Sequence, residues 1–286
     1  MKTEEYGKEK LRSMLPEIPA DIHKGNRGGV FVCGGSLCYR GAPLLAALGA
    51  LRAGAGYVVL AVPDFMAENA SVFLPEAIIA PVKTLNGSLS ADSLVRTVKL
   101  WEKRCAAAVF GPGTGRDERL RKTLEKFMSI WNKPLLLDAD ALWFLPETRS
   151  FVRDNLAVSP HEGEAAHLLS EMPEDVQADR QTAAEKLSQK YGAALLKGKG
   201  TLVACGSEMR VINAGSPALA IPGSGDVLSG VIGAFCASGM SIFDALTAGA
   251  LVHALAGERL EAKYGLRGAL AREIAKEIPL VLKENA

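Results

Sequence analysis

Short runs of residues that are apolar at every position recur along this chain and alternate with longer segments of helical pattern. The runs span residues 30–33, 57–62, 106–110, 134–137, 156–158 and 193–196. A strand with one solvated face would alternate apolar and polar residues, so these runs predict strands buried on both faces. Strands of this kind separated by helices indicate a mostly parallel central sheet covered on both sides, a three-layer α/β/α sandwich.

Two further segments, 201–205 and 209–213, flank Gly206 and Ser207 and predict an antiparallel hairpin at one edge of the sheet. The last third of the chain has helical patterns over 226–238 and 242–263, followed by a short C-terminal helix. The polar segment 1–22 predicts a helix or arm on the surface. Because no linker or repeat interrupts the pattern, we expect residues 1–286 to form a single domain.

Composition excludes several classes of partner. The formal net charge is +1, which gives no electrostatic basis for binding nucleic acid or an anionic membrane. The apolar stretches are too short and too rich in glycine to span a bilayer, and the N-terminus lacks the apolar core of a signal peptide. Five cysteines without a CxxC pair indicate reduced thiols. We therefore expect a cytoplasmic enzyme with small-molecule substrates.

Glycine or acidic residues follow almost every predicted strand. These loops are Gly34-Gly35-Ser36, residues 111–115, Asp138-Ala139-Asp140, residues 159–164, residues 197–201 and Gly223-Ser224-Gly225-Asp226. In parallel sheets the ligand lies beyond the carboxyl ends of the strands, so these six loops predict a binding edge. The chain has no GxxxxGK[ST] motif and no GxGxxG motif opening a helix, which argues against P-loop and dinucleotide-fold sites.

The loop before the helix at 226–238 carries the most specific chemistry. The amides of Gly223, Ser224 and Gly225 would bind an anion such as a phosphoryl group at the helix N-terminus. Asp226 would then stand beside the phosphates, where its carboxylate can take a proton from an attacking hydroxyl. A plain helix cap is the alternative interpretation of this segment on its own.

With these motifs in place, the chain resembles the NAD(P)H-hydrate dehydratases of the ribokinase-like superfamily. The resemblance rests on segments in the family's order: His23-Lys24-Gly25, Val32-Cys33-Gly34-Gly35-Ser36, Gly41-Ala42-Pro43, Leu51-Arg52-Ala53-Gly54-Ala55-Gly56, Gly111-Pro112-Gly113, Asp138-Ala139-Asp140-Ala141-Leu142, Pro160-His161-Glu162-Gly163-Glu164, Lys197-Gly198-Lys199-Gly200-Thr201 and Gly223-Ser224-Gly225-Asp226-Val227-Leu228-Ser229-Gly230. It covers nearly the whole chain after residue 22. It implies a ribokinase-like fold.

The resemblance also implies an activity. Family members repair NADH or NADPH whose nicotinamide ring has added water, by phosphorylating the ring hydroxyl and eliminating phosphate. We expect ADP as the donor, with ATP as the alternative, Mg²⁺ with the phosphates, and the S epimer of the hydrate as substrate. We further expect no fused epimerase domain, a separate epimerase as functional partner, and a homo-oligomer, with a tetramer as the candidate assembly.

Residue roles follow from the same resemblance. Asp226 would be the catalytic base, with Gly223, Ser224 and Gly225 holding the phosphoryl group. The hydrated dinucleotide would contact Ala42, Gly113, His161 and Asp226. The nucleotide would be bound by Lys197, Gly198, Lys199, Gly200, Thr201 and Gly225. Asp138, Asp140 and Glu164 are candidates to hold magnesium through water, although the metal ligands themselves stay unknown.

Several alternatives stay open. A ribokinase-like small-molecule kinase, of the hydroxyethylthiazole or sugar type, would use the same Asp226 but release a stable phosphate ester. A degenerate nucleotide-binding regulatory protein is the other alternative, because Ile221 and Pro222 replace the family's usual threonine and glycine. Proline lacks an N–H, which predicts one amide fewer in the anion site. His167 and His253 are interpreted as core or surface residues. The small-residue helix at 43–53 packs on the sheet or forms a subunit interface.

Overall fold

Ten strands in the described part of the chain form one sheet. A computed structural model describes residues 1–17, 19, 21, 27–147 and 153–285. The strands are β1 (Lys2–Tyr6), β2 (Gly29–Cys33), β3 (Tyr57–Pro63), β4 (Ile78–Val82), β5 (Thr84–Leu85), β6 (Ser88–Leu89), β7 (Cys105–Phe110), β8 (Leu135–Leu137), β9 (Leu156–Val158), β10 (Ala193–Leu196), β11 (Leu202–Cys205) and β12 (Glu208–Ile212). The sheet order is β1-β12-β11-β10-β9-β8-β7-β2-β3-β4, and β5 and β6 form a separate two-stranded sheet.

The strand predictions are confirmed, and so is the hairpin, but its predicted position at the edge of the sheet is wrong, because β1 pairs with β12 and forms that edge. Strand β11 pairs antiparallel with β10 on one side and with β12 on the other. All other neighbouring pairs in this sheet, from β10 across to β4 and between β1 and β12, are parallel. Side chains alternate between the two faces: Val30 and Val32 of β2 join one core, and Phe31 and Cys33 join the other. A strand between two helical layers therefore has no polar position.

Helices cover both faces of the sheet, which confirms the predicted sandwich of three layers. They are α1 (Lys8–Met14), α2 (Gly41–Arg52), α3 (Ala67–Phe73), α4 (Ala91–Trp101), α5 (Arg119–Ile130), α6 (Glu162–Leu169), α7 (Pro173–Ala178), α8 (Arg180–Tyr191), α9 (Ser224–Ala237), α10 (Ile242–Tyr264) and α11 (Ala271–Asn285), with 3₁₀ segments at Asp64–Met66, Ala139–Glu147 and Pro217–Leu219. The core on one face includes α2, α9, α10 and α11, and the core on the other includes α4, α5, α6 and α8. No helix among the described residues has the length and apolar character needed to cross a bilayer.

The small residues of α2 serve packing within the chain. A Cβ atom at Gly49 would collide with the backbone carbonyl of Val227, and one at Gly230 would collide with the carbonyl of Ala46. The two helices α2 and α9 therefore approach closely only because glycine occupies both positions. This contact also fixes the start of α9 relative to α2.

The N-terminus contains a helix, α1, as the prediction of a surface helix or arm allowed, but an unpredicted strand precedes it. Residues Lys2–Tyr6 add a mostly exposed edge strand parallel to β12, and helix α1 follows, burying Leu11. The sequence KTEEY is polar because an edge strand can leave its side chains in water, so it lacks the apolar run that marked the inner strands. The edge strand β4 and the small β5–β6 hairpin were likewise not predicted.

Candidate functional site

The start of α9 provides unpaired backbone donors. Gly223 is the N-cap in the left-handed region (φ 86°), and the helix begins at Ser224. The Ser224 N–H donates to the Ile221 carbonyl over 3.3 Å, whereas the amides of Gly225 and Asp226 donate to no backbone carbonyl in the described residues. Free donors at a helix N-terminus can bind an anion, so the geometry is compatible with the anion site expected for this loop.

Pro222 does not remove a donor from this site. It lies exposed before the N-cap, and the first helical turn contains Ser224, Gly225 and Asp226. The missing N–H of a proline one residue ahead of the cap therefore precedes the helix. The sequence-based expectation that proline costs the site one amide is wrong for the first turn of α9.

Asp226 occupies the first turn of α9 with a perturbed carboxyl group. Burial, and after it the neighbouring carboxylate of Asp138, raise the pKa of Asp226 to about 7 against the opposing charge of Lys197. A carboxyl group that titrates near neutral pH can accept a proton from an alcohol more effectively than an ordinary aspartate. The predicted base thus has the electrostatic environment that a general base requires.

Lys197 lies at the centre of a buried charge cluster that we call the lysine hub, formed by Lys197, Asp138, Glu164 and Ser229. The Lys197 ammonium donates to Asp138 Oδ1 over 2.9 Å and lies 3.7 Å from Glu164 Oε2. The Ser229 hydroxyl donates to the other oxygen of Asp138. Since Asp138 is 1% exposed, its charge depends on these partners for stabilisation.

The lysine hub faces the anion site. A Cβ atom built on Gly225 would lie 3.5 Å from Lys197 Nζ, so the ammonium group stands against the first turn of α9. The resemblance had placed Lys197 with the nucleotide-binding loop. The structure brings its side chain to the start of α9, beside Asp226, while its backbone leads into the loop at 197–201.

Arg180 holds that loop in place, and no sequence signal identified it. Its guanidinium donates to the carbonyls of Lys199, Leu196 and Lys197 over 3.0–3.3 Å, and it pairs with Glu162 at 3.1 Å. Gly198 has φ 144°, a conformation that other residues rarely adopt. Arg180 comes from the polar side of α8, which explains why its pattern looked like an ordinary solvated face.

His161 begins helix α6. Its Nδ1 accepts the Glu164 N–H over 3.2 Å, and the Glu164 carboxylate accepts the His161 N–H over 2.9 Å, which makes a reciprocal capping box. The His161 side chain is nevertheless 61% exposed, with its Nε2 lying 3.5 Å from Glu164 Oε1. His161 therefore combines the structural role of a cap with a surface position at the binding edge.

The other predicted dinucleotide contacts come together at the same edge. A Cβ atom at Gly113 would lie 2.9 Å from the Cβ of Ala42, so these two residues touch. Leu45, one turn along α2 from Ala42, packs against Gly223 at the N-cap of α9. Helix α2 thus places Ala42 beside the buried Gly113 and, through Leu45, packs against the start of α9. His23, Lys24 and Gly25 lie outside the described residues.

His253 is a core residue, one of the two alternatives that its sequence pattern left open. Its Nε2 lies 3.0 Å from the Ser224 carbonyl and 3.1 Å from the Ser224 hydroxyl. Because a carbonyl only accepts, Nε2 carries the proton in this arrangement. Burial lowers the pKa of His253 to about 4, so the ring is neutral and supports the first residue of α9.

The three carboxylates considered for magnesium already have protein partners. Both Asp138 oxygens are bound in the lysine hub, Glu164 accepts the His161 amide, and Asp140 accepts the Gly115 amide at 2.9 Å and pairs with Arg116 at 3.2 Å. The described part of the chain holds no group of three or more histidine, cysteine or acidic side chains arranged for a metal ion. These residues do not fit a direct magnesium site built by the protein alone.

Comparison with known proteins agrees with this geometry. The family model described as NAD(P)H-hydrate dehydratase matches residues 30–280. The chain is 40% identical, over 89% of its length and 85% of the relative's, to the ADP-dependent (S)-NAD(P)H-hydrate dehydratase of Neisseria meningitidis. It is also 40% identical to the bifunctional NAD(P)H-hydrate repair enzyme of Thermanaerovibrio acidaminovorans, matching 96% of this chain and 54% of that protein. The chain thus spans about half the length of the bifunctional relatives that it matches.

Solved structures show the same fold. The ADP/ATP-dependent NAD(P)H-hydrate dehydratase of Bacillus subtilis, co-crystallized with ATP and Mg²⁺, superposes with a TM-score of 0.83 at 25% identity, covering 98% of this chain and 97% of that one. A ribokinase-like superfamily protein of Enterococcus faecalis reaches a TM-score of 0.86 at 22% identity, covering 99% and 96% of the two chains. The fold is therefore ribokinase-like.

Proposed function

The chain belongs to the NAD(P)H-hydrate dehydratase family, and from this premise we propose that it restores hydrated NADH and NADPH in a nucleotide-dependent dehydration. The observation that carries the proposal is the placement of Asp226. Its carboxyl group, with a pKa raised to about 7, stands in the first turn of α9 beside free amides and the Lys197 ammonium. That arrangement suits transfer of a phosphoryl group to a hydroxyl.

In the first step Asp226 takes the proton of the ring hydroxyl while the hydroxyl oxygen attacks the terminal phosphorus of the nucleotide. A new O–P bond forms, and the P–O bond to the departing nucleotide breaks. The amides of Gly225 and Asp226, with Lys197, stabilise the negative charge on the phosphoryl oxygens. Asp226 must be ionised to accept the proton, which its pKa near 7 permits at neutral pH.

In the second step the C–O bond breaks and phosphate leaves with the bonding electrons, and a ring proton passes to water, which restores the double bond. Hydroxide is a poor leaving group and phosphate a good one, so phosphorylation makes the elimination feasible. The same donors that held the phosphoryl group stabilise the departing phosphate. The protein's contribution to this step is electrostatic.

ADP is the proposed donor, with ATP as the alternative. The N. meningitidis relative is named ADP-dependent, whereas the B. subtilis structure is named ADP/ATP-dependent. We assign the nucleotide to the loop of Lys197, Gly198, Lys199, Gly200 and Thr201, whose backbone carbonyls Arg180 binds at Lys197 and Lys199. Magnesium, when bound, would supply positive charge on the phosphates, held by phosphate oxygens and water because Asp138, Asp140 and Glu164 are engaged elsewhere.

The hydrated dinucleotide is assigned to the surface that contains Ala42, Gly113 and His161. The S epimer is the proposed substrate, in line with the name of the N. meningitidis relative. An epimerase activity would then be required to use the R epimer, and the bifunctional name of several relatives supports that functional link. A cytoplasmic location and a tetrameric assembly remain part of the proposal.

The test measures recovery of reduced-nicotinamide absorbance from purified hydrated NADH and NADPH, with Mg²⁺ and either ADP or ATP. We expect the wild type to restore absorbance and release free phosphate, and Asp226→Asn to lose about 10²–10⁴-fold in kcat. Accumulation of a stable phosphate ester would instead identify a small-molecule kinase. Nucleotide binding without turnover would identify a regulatory binder and overturn the proposed function.

A further inference from the structure

A cavity of about 180 Å³ lies beside the predicted dinucleotide surface and has no role in the chemistry described above. Its lining comprises Arg116, Ala139, Leu142, Trp143, His161, Gly163, Glu164 and His167. His161 and Glu164 connect the cavity to the capping box at the start of α6, and Glu164 connects it to the lysine hub. The cavity is therefore continuous with the binding edge.

Trp143 gives the cavity a rigid aromatic wall. The His167 ring stacks on it with centroids 4.2 Å apart and planes 5° apart, and His167 Nε2 hydrogen-bonds the Trp143 carbonyl at 2.8 Å. The Arg116 guanidinium carbon lies 4.6 Å from the Trp143 ring centroid, within cation–π distance. Stacking of this kind restricts the guanidinium to a small range of orientations.

Arg116 is also oriented from its other side. Its Nε lies 3.2 Å from Asp140 Oδ1, and the second Asp140 oxygen accepts the Gly115 N–H over 2.9 Å. Within residues 27–147 and 153–285, neither Nη atom of Arg116 makes a hydrogen bond, and the side chain is 53% exposed. A guanidinium fixed through Nε and stacked on an aromatic ring presents its two Nη amino groups as a fork of donors that can bind a phosphate.

The position of Arg116 along the chain connects this fork to the substrate surface. Gly113, assigned to the dinucleotide, touches Ala42, and Gly115 lies next to Arg116 and donates to the same Asp140 that holds the guanidinium. Glu164, which also lines the cavity, accepts the His161 N–H and lies 3.7 Å from Lys197 Nζ, an ammonium that it shares with Asp138. Arg116 is the permanently charged cation in the lining, so it is the group to which an anionic part of the dinucleotide would bind.

The geometry points to Arg116 as the residue that binds the 2′-phosphate of hydrated NADPH, with Trp143, Asp140 and His167 as its positioning residues. This inference rests on the proposed function for the identity of the substrate. The 2′-phosphate is the group that distinguishes NADPH from NADH, and a phosphomonoester dianion matches an arginine fork better than the singly charged pyrophosphate esters do. Arg116 would thus set the preference for the phosphorylated dinucleotide.

The experiment measures Kd by calorimetry for NADP⁺, NAD⁺ and adenosine 2′-monophosphate on the full chain, in wild type and Arg116→Ala. We expect wild type to bind NADP⁺ more tightly than NAD⁺. In Arg116→Ala the ratio of the Kd for NAD⁺ to the Kd for NADP⁺ should fall about 10- to 100-fold, the effect of losing a hydrogen bond to a charged group. The affinity of Arg116→Ala for adenosine 2′-monophosphate should fall by a similar factor to its affinity for NADP⁺. Arg119→Ala, which removes an arginine three residues away that pairs with Asp117, is the matched control and should keep the wild-type ratio.

Equal loss of NADP⁺ and NAD⁺ binding in Arg116→Ala would mean that Arg116 holds a part common to both dinucleotides, and would overturn the inference. An unaltered ratio would overturn it as well. These binding measurements do not depend on turnover. If the wild type fails to repair either hydrate while the Arg116→Ala ratio still collapses, the proposed function fails and the 2′-phosphate site stands.

Discussion

The Lys197 ammonium donates to Asp138 Oδ1 over 2.9 Å, joining two residues that are 59 positions apart at the carboxyl ends of β10 and β8. The same ammonium offsets the charge of Asp226, whose pKa is raised by burial and by Asp138. Asp138 therefore acts on Asp226 in two ways: its own charge disfavours ionisation, and it shares the lysine that favours ionisation. The pKa of the candidate base depends on this pair.

Replacing Asp138 by asparagine should lower the pKa of Asp226. One negative neighbour is removed, and Lys197 is freed to act on Asp226, so both changes favour the ionised base. We expect the acidic limb of the kcat/KM profile to move to lower pH, by on the order of one unit. The measurement is the pH dependence of hydrate repair in Asp138→Asn and wild type. Asp92→Asn, at an exposed ion pair with Lys126, is the control, and a limb that stays in place would contradict the prediction.

Two glycines at the start of α9 should respond differently to alanine. At Gly225 the new Cβ would lie 3.5 Å from Lys197 Nζ, an ordinary contact, so the fold should tolerate it. The methyl group would instead intrude where the phosphoryl group binds, and we expect kcat/KM for the nucleotide to fall about 10- to 100-fold, the effect of losing one good hydrogen bond to a charged group. Thermal unfolding and steady-state kinetics of Gly225→Ala check both parts.

Alanine at Gly223 should mainly reduce stability. This residue has φ 86°, and a Cβ would lie 2.5 Å from Leu45 Cδ1. We expect a loss of about 1–3 kcal/mol in the free energy of unfolding, from backbone strain and the clash with α2. Chemical denaturation of Gly223→Ala measures it. If the two alanine variants had equal unfolding free energies, alanine at Gly223 would introduce no more strain than alanine at Gly225, which would contradict the prediction.

The buried histidine His253 should make stability depend on pH. Its folded-state pKa is about 4, below the ordinary value of 6.5, so the unfolded chain binds a proton before the folded one does. The stability contribution is complete above pH 6.5 and is lost as the pH falls toward 4. We expect His253→Gln to lack this component, which amounts to about 3 kcal/mol between pH 7 and pH 4.

The measurement is the unfolding free energy of both proteins across that range. Carboxylates also titrate there, but they contribute equally to wild type and His253→Gln, so the difference between the two curves isolates the histidine. Parallel curves would show that His253 can take up a proton in the folded protein.

Arg180 should matter for the nucleotide more than for the chemical step. Arg180→Gln removes donors to three carbonyls at 196–199, so the loop assigned to the nucleotide loses its support. We expect KM for ADP to rise about 10-fold, as for about 1.4 kcal/mol of lost binding, with a smaller change in kcat. Steady-state kinetics with varied ADP test this, with Arg119→Gln as the control on α5. A fall in kcat at constant KM would place Arg180 in the chemistry instead.

The sequence by itself determined the inner strands of the sheet, the β11–β12 hairpin and the edge where the loops meet. Apolar runs identify strands buried on both faces because such strands leave no position for a polar side chain, and the parallel order brings their carboxyl ends together. The start of α9 could also be predicted from the sequence. The glycines around Ser224 allow a tight turn, and an acidic residue such as Asp226 is favoured at a helix N-terminus. These signals are short-range, because each of them lies within a single strand or a single turn.

Only the tertiary structure decided which side chains meet. Lys197, Asp138 and Ser229 come from three elements far apart in the chain, and nothing local distinguishes Ser229 from other helical serines. The polar edge strand Lys2–Tyr6 escaped detection for the opposite reason, because its exposure removes the apolar pattern. The pKa of Asp226 follows from burial and from charges contributed by other loops, and these quantities exist only once the chain has folded.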